Sequence, residues 1–312
     1  MINKFIKKIL NIENYNLHKY NSWKDNITYE VDLGSWESFI IQQVLVEKTN
    51  KNIEFIEKII SFIENDSNIN FANNYLEKRF IAYEWSLFQI MKKINWITIE
   101  EKDINIEIIK NTAEYIALFH NKINEFNWEK YEEINYYKKM NNYRLEVEKL
   151  LKNNSNPEVK NLFLKMNKIA INLKENKNLP KWVIHWDPSF KNFLINNNKK
   201  IVWLIDYDML SVNNYIWDLA DLIRSYMKIK VFNKKEFNIL INSYNNVRKL
   251  TDEENKELKN YCTMMILDTW FRYLLNYFNS SNHNNLLWDK ENSFKKANRC
   301  LLEVEKLNTF YN

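Results

Sequence analysis

The sequence of 312 residues contains a single glycine, three prolines and two cysteines. Cys262 and Cys300 each fall inside a helical pattern, so reduced buried thiols are expected rather than a disulfide framework or a cysteine metal site. No run of about 18 apolar residues occurs, which argues against a membrane-spanning helix. The opening MINKFIKKILNIEN breaks its apolar residues with lysine and lacks the uninterrupted core of a signal peptide. There is no basic block with interleaved aromatics, and the net charge of +5 is small for the length, so nucleic acid is not an expected partner. A weakly positive surface is compatible with attracting an anionic nucleotide. Together these absences predict a cytoplasmic protein with neither membrane nor nucleic-acid partners.

The shortage of glycine is the most unusual feature. Average usage of about 7% would give roughly 22 glycines in this length, whereas the chain has one glycine and eleven tryptophans. Tryptophan also stands where glycine chemistry is expected: Trp186 between His185 and Asp187, Trp23 after Asn21-Ser22, and Trp96 after Ile94-Asn95. This pattern results when a chain whose UGA codons specify glycine is translated as though UGA specified tryptophan. Trp186, Trp203 and Trp217 are the positions this reading puts most in question. If the tryptophans are genuine, tight turns needing positive φ are hard to build. Frequent Asn, Lys and Ile, including NNNKK at 196–200, reflect AT-rich coding rather than functional low complexity.

What is present is the composition of a globular enzyme, 46% hydrophobic and 27% charged, long enough for one large or two smaller domains. Residues 1–20 read as a short helix or lead-in. Residues 26–31 and 38–46 are β-rich runs around a turn holding Gly34, and 52–64 has Ile53, Phe55, Ile56, Ile59, Ile60 and Ile63 at helical spacing. Residues 75–84 and 86–94 read as two more strands. From Ile106 the pattern is helical: 106–122, 136–152, 158–174, 216–227, 234–250, 253–278 and 289–310, with Thr251 and Glu254 as a capping box. The expected organisation is α+β, with a small β-rich lobe over 1–95 and a larger, mostly helical lobe over 96–312.

Chemistry concentrates in VIHWDPSFKNFLINNNKKIVWLIDYDMLSVNNYIWDLADLIR, residues 183–224. His185, Asp187 and Asn192 form H-x-D-x-x-x-x-N, and Asp206 follows Asp187 by nineteen residues at the end of an apolar run, with Asp208, Asp218 and Asp221 beyond it. Phosphoryl transfer from ATP needs such a set: one carboxylate to accept the proton of the attacking hydroxyl, and a carboxylate with an amide to hold Mg²⁺ on the phosphates.

These residues resemble the aminoglycoside phosphotransferase and choline kinase superfamily, through HWDPSFKN, LIDYD and IWDLADLIR. Within it the chain looks most like the N-acetylhexosamine kinase type, on DNITYEV, FIIQ at 39–42, IEKI at 56–59, LTDEENKEL and ILDTWFRYLLNYF. The resemblance covers nearly the whole chain. It implies a bilobal protein-kinase-like fold with ATP in the cleft between the lobes, and an ATP- and Mg²⁺-dependent kinase acting on a small-molecule hydroxyl.

It implies Asp187 as the catalytic base, Asn192 and Asp206 as Mg²⁺ ligands with Asp208 as a further or indirect one, and His185 and Asp218 as supports of the loop. Asn26, Lys24, Gln42 and Glu57 are the candidate ATP contacts. Gln42 occupies the register of the strand lysine that many kinases use, with Lys48 further on. Arg224, Asp268, Arg272 and Tyr273 are candidate acceptor contacts, with Arg224 and Arg272 equally readable as ion-paired structural residues. The late helices have mixed charge, with Glu253, Glu254 and Glu257 their only acidic cluster, which is weak for a polycationic aminoglycoside and leans toward a sugar or amino sugar. Aminoglycoside, choline or homoserine phosphorylation is the alternative, and a catalytically inactive kinase-like binding protein is the alternative of another class.

Overall fold

The structure is a computed structural model and describes residues 1–20, 26–34, 38–44, 49–64, 80–93, 97–129, 131, 136–154, 156–279 and 290–311. Its contacts divide the chain into two compact units. One comprises Met1–Ile97 with Leu194–Asn198 and Val202–Ile205, and the other Thr98–Phe193, Lys199–Ile201 and Asp206–Asn312.

In the first unit, helix α1 (Ile2–Ile9) precedes strands β1 (Asn16–Tyr20), β2 (Asn26–Asp32) and β3 (Ser38–Val44), helix α2 (Asn50–Glu64), and strands β4 (Phe80–Tyr83) and β5 (Ser86–Lys92). The strands form one sheet in the order β1-β2-β3-β5-β4, every neighbour antiparallel. Alternation sets the inner face: Val31, Phe39, Ile41, Phe88 and Ile90 are buried together with Phe5 and Ile6 of α1. The Phe5 ring stacks on Phe88 with centroids 4.2 Å apart. Helix α2 buries Phe55, Ile56, Ile59, Ile60 and Ile63, the stripe its spacing predicts. The lead-in expected over 1–20 is corrected, because its second half is β1. That edge strand bonds only β2, so NLHKY lacks the apolar alternation that would reveal it.

The two-residue β6 (Ile97–Thr98) starts the passage into the second unit. There α3 (Ile106–Ile123) is capped by Asn105, whose side chain accepts the Ile108 amide at 3.0 Å. Helices α4 (Tyr136–Leu151) and α5 (Pro157–Ala170) follow, the latter with Asn156 as cap and proline at its first turn. Strands β7 (Lys181–Ile184) and β10 (Ser211–Asn214) pair antiparallel in this unit, and between them in sequence β8 (Phe193–Ile195) and β9 (Ile201–Leu204), most of whose residues belong to the first unit, form a hairpin edged by β6. The chain ends in α6 (Ile216–Met227), α7 (Lys234–Val247), α8 (Asp252–Asn279) and α9 (Lys290–Tyr311). The expected capping box starts α8: Thr251 Oγ1 accepts the Glu254 amide at 3.1 Å and Glu254 accepts the Thr251 amide at 2.8 Å. Helices α6 and α8 are buried along most of their length, and no described helix is long and apolar enough to cross a membrane.

Candidate active site

The segments that connect β7 to β10 carry the residues singled out in the sequence. The turn after β7 holds His185, Trp186 and Asp187, and a 3₁₀ turn at Phe190–Asn192 returns the chain into β8. Two anchors fix this loop from α6. Phe190 donates its amide to Ser225 Oγ at 3.3 Å, and its ring stacks on Tyr226. Asp218, fully buried in the first turn of α6, accepts the amides of His185 at 2.8 Å and Trp186 at 2.7 Å. Asp187 itself is half-buried, while His185 is enclosed and accepts the Asp187 amide on Nδ1 at 3.3 Å.

Asn192 is oriented from the same loop. Its Nδ2 donates to the carbonyl of Asp187 at 2.8 Å, which commits the amide nitrogen and leaves Oδ1 available as an acceptor or ligand. Asp206, just past β9, sits in the left-handed region at φ 72°, ψ 53° and opens the 3₁₀ turn Tyr207–Met209. A non-glycine residue held there is strained, a condition that clusters at functional sites. Asp208 in that turn is buried. Among the described residues no group of three or more His, Cys, Asp or Glu side chains is placed to hold a metal by itself. A Mg²⁺ ion needs only one or two carboxylates when phosphates and water fill the remaining octahedral positions, and two aspartates with an amide oxygen suit it chemically.

Asp218 belongs to a longer buried chain in which His120, Tyr244 and Arg248 give no local sequence signal. Its Oδ2 lies 2.9 Å from His120 Nε2, and His120 Nδ1 lies 2.7 Å from the Tyr244 hydroxyl. Tyr244 takes a hydrogen bond from Arg248 at 3.2 Å, and Arg248 is paired at 2.8 Å with the fully buried Glu254. The direction of donation follows from the ends. Arg248 can only donate, so Tyr244 passes its own hydrogen to Nδ1, and the Nε2–H of a neutral His120 donates to the carboxylate. Burial, followed by the Arg248 charge, holds the His120 imidazole well below its ordinary pKa and keeps it neutral. Burial also pushes the Asp218 carboxyl up to about 7, against three N–H donors that favour its ionised form.

The candidate acceptor residues form ion pairs on helices packed beside this loop. Arg224 Nε meets Asp221 at 2.6 Å and Arg272 Nε meets Asp268 at 2.9 Å, while the Asp187 charge acts on both Asp221 and Arg224. Lys228, one turn beyond Arg224, lies 5.4 Å from the centre of the Phe190 ring. Asp221 was visible in the sequence only as one of the carboxylates after Asp206, and Lys228 was not singled out, although both share a face of α6 with Arg224 at helical spacing.

The nucleotide candidates lie in the first unit. Gln42 is buried in β3 and donates to Thr28 Oγ1 at 3.4 Å, while Glu57 of α2 accepts the Phe80 amide at 3.4 Å. Each is engaged locally, and no bond joins them. Asn26 opens β2, its side chain outside the described residues, where Lys24, Lys48, Trp23 and Trp96 also fall.

Trp186 occupies the left-handed region at φ 75°. Its indole lies over the Tyr136 ring with centroids 2.9 Å apart and planes within 8°, well inside the roughly 4.5–7 Å at which aromatic pairs rest. The indole N–H groups of Trp217 and Trp270 are buried without a hydrogen-bond partner.

No family model and no curated protein matches the sequence, but solved structures do. An amicoumacin kinase, hAmiN, in complex with AMP-PNP, Ca²⁺ and Ami, superposes with a TM-score of 0.70 at 15% identity, over 97% of this chain and 93% of that one. The GDP complex of aminoglycoside 2'-phosphotransferase-IIIa gives 0.64 at 12% identity over 100% and 98%, and choline kinase LicA from Streptococcus pneumoniae gives 0.63 at 16% over 97% and 99%. The chain has the fold of small-molecule kinases. The match spans nearly the whole of each neighbour, so both units of the fold are represented.

Proposed function

We propose that the protein is an ATP- and Mg²⁺-dependent kinase that transfers the γ-phosphoryl group of ATP to a hydroxyl of a small molecule in the cytoplasm, the acceptor being a sugar or amino sugar. The observation that carries this reading is the Asp187–Asn192 loop: a half-exposed carboxylate and an amide whose nitrogen is already committed, on a backbone clamped by Asp218. Asp187 accepts the hydroxyl proton as the hydroxyl oxygen bonds to the γ-phosphorus, the bond from that phosphorus to the bridging oxygen breaks, and ADP leaves. Asn192, Asp206 and Asp208 would hold Mg²⁺, which supplies charge neutralisation on the phosphates. Gln42, Glu57, Asn26 and Lys24 are the proposed nucleotide contacts, and Arg224, Asp268 and Arg272 the proposed acceptor contacts.

Neighbouring structures of the same fold include a microcompartment-associated aminopropanol kinase and an ethanolamine kinase from Plasmodium vivax, which keeps amino alcohols as a second acceptor class. The test is ADP formation with Mg²⁺-ATP across sugars, sugar derivatives, aminoglycosides and amino alcohols, with Asp187→Asn as control. Acceptor-dependent turnover that disappears in the variant is expected. Turnover equal in the two proteins refutes the role of Asp187, and absence of nucleotide binding favours a non-catalytic kinase-like protein.

A further inference from the structure

Three arginine–carboxylate pairs stand on the helices beside the Asp187 loop, and in each the carboxylate is the hidden partner. The side chains of Asp221, Asp268 and Glu303 are 3%, 13% and 6% exposed, against 14%, 50% and 41% for Arg224, Arg272 and Arg299. The surface a ligand meets is therefore guanidinium, with the acids underneath. The remaining oxygen of Asp221 has no hydrogen-bond partner, but it is fully enclosed and out of a ligand's reach.

The cations also keep donors in reserve. Arg224 and Arg299 engage their carboxylates through Nε, and among the described residues no hydrogen bond reaches their Nη groups. Lys228, between Arg224 and Arg299 in charge terms, makes no ion pair or hydrogen bond among the described residues, and its one recorded partner is the face of Phe190. Burial and then the Arg224, Lys191 and Arg299 charges depress its ammonium to about 8. The Glu303 charge opposes this from a distance, but no carboxylate bonds the ammonium directly, and a half-buried lysine in this condition is short of a counter-ion.

We infer that the acceptor carries an anionic group, a carboxylate or phosphate, received by Arg224, Lys228 and Arg299 beside Asp187. The inference rests on the kinase reading above and narrows its acceptor to an acidic sugar or sugar phosphate. It sets this chain apart from a site for a polycation, which needs accessible carboxylates, or for a choline-like ammonium, which needs carboxylates or an aromatic cage. A fork of guanidinium donors beside an ammonium is the geometry that carboxylate and phosphate oxygens bind.

The test has two arms. In the first, Lys228 of the intact protein is trace-acetylated in the presence of Mg²⁺ and AMP-PNP, with a hexose, the matching hexuronate, the hexose phosphate, choline or an aminoglycoside as protectant. Protection by the hexuronate or hexose phosphate and none by the neutral or cationic compounds is expected. Protection complete with AMP-PNP alone assigns the cations to the nucleotide phosphates and overturns the inference, as does absence of protection by either anion. In the second arm, Lys228→Met and Arg299→Gln are assayed for phosphorylation. One charge-assisted hydrogen bond lost corresponds to a fall of about 10- to 100-fold in kcat/KM for the anionic acceptor, with KM for ATP unchanged and Lys228→Arg restoring most of the loss. A parallel rise in KM for ATP, or equal losses on neutral and anionic acceptors, overturns the inference. If the protein turns over a neutral or cationic acceptor in an Asp187-dependent manner, the acceptor inference fails while the kinase reading survives. If no ATP is consumed at all, the kinase reading is what fails.

Discussion

Replacing Trp186 by glycine tests whether the catalytic loop is built around a side chain or around its absence. A tryptophan that is 9% exposed and well packed costs about 3–5 kcal/mol when truncated, and glycine adds roughly 0.5–1 kcal/mol of lost backbone entropy. At position 186 two terms run the other way. The left-handed backbone at φ 75° costs a non-glycine residue about 1–2 kcal/mol. The overlap with Tyr136, rings 2.9 Å apart, is overpacking of a kind that costs about 1–3 kcal/mol. Both are relieved by Trp186→Gly, so the expected net loss is roughly 1 kcal/mol at mid-range, well short of the 3–5 kcal/mol of an ordinary core truncation. Trp186→Ala separates the two terms, because alanine removes the overlap and keeps the Cβ. At an ordinary site alanine is the more stable by about 0.5–1 kcal/mol; here glycine should exceed alanine by about 1 kcal/mol. Thermal unfolding with and without Mg²⁺-ATP reads the order, at about 2–4 °C per kcal/mol for a chain of this class. Alanine more stable than glycine, with both several kcal/mol below the parent, refutes the reasoning and makes Trp186 a genuine core residue. Peptide mass spectrometry of the protein from its own cells answers the decoding question directly: glycine is expected at 186, and tryptophan there sinks the UGA explanation.

Asp187→Asn should lower kcat by about 10²–10⁴-fold while ATP affinity, read by nucleotide fluorescence, stays within a few-fold. Tyr244→Phe leaves His120 Nδ1 and one Arg248 N–H without their mutual partner, a loss of about 1–3 kcal/mol by thermal or chemical unfolding. In ¹⁵N NMR the parent His120 should be neutral and protonated on Nε2 throughout the working pH range, and an imidazolium signal would refute the direction assigned to the chain. Because the Lys228 ammonium is depressed to about 8, it is charged below that pH and neutral above it. Binding of an anionic acceptor should therefore weaken as pH rises through about 8, and Lys228→Arg should remove that dependence. Chelation of Mg²⁺ by EDTA should abolish turnover and be reversed by added Mg²⁺, with far-UV circular dichroism unchanged.

Strand and helix content was largely legible because the periodicities are strong: the α2 stripe, the alternation of Phe39 and Ile41, and the Thr251–Glu254 box all have structural counterparts. β1 was not, since an edge strand buries too little to impose alternation. The site divides in the same way. Asp187 and Asn192 are five residues apart in one loop, so spacing reveals them, and their hydrogen bond follows from that proximity. His120, Tyr244 and Arg248 are brought to Asp218 by helix packing across 98 residues in the first link and 124 in the second. No local pattern encodes such a meeting.

Charge is the third case. Arg224, Asp268 and Arg272 were visible as residues, but their meaning depends on which member of each pair faces outward. A sequence shows three acids and three bases of equal number and no preference. The fold buries the acids and presents the bases, and it adds Lys228 one turn along, over the Phe190 ring and within reach of the Arg224 and Arg299 charges. Net charge counted along the chain would predict an indifferent acceptor site. The buried positions of Asp221, Asp268 and Glu303 leave the guanidinium groups as the reachable part of the proposed acceptor site, and this turns an unselective list of polar residues into a chemical expectation for the acceptor.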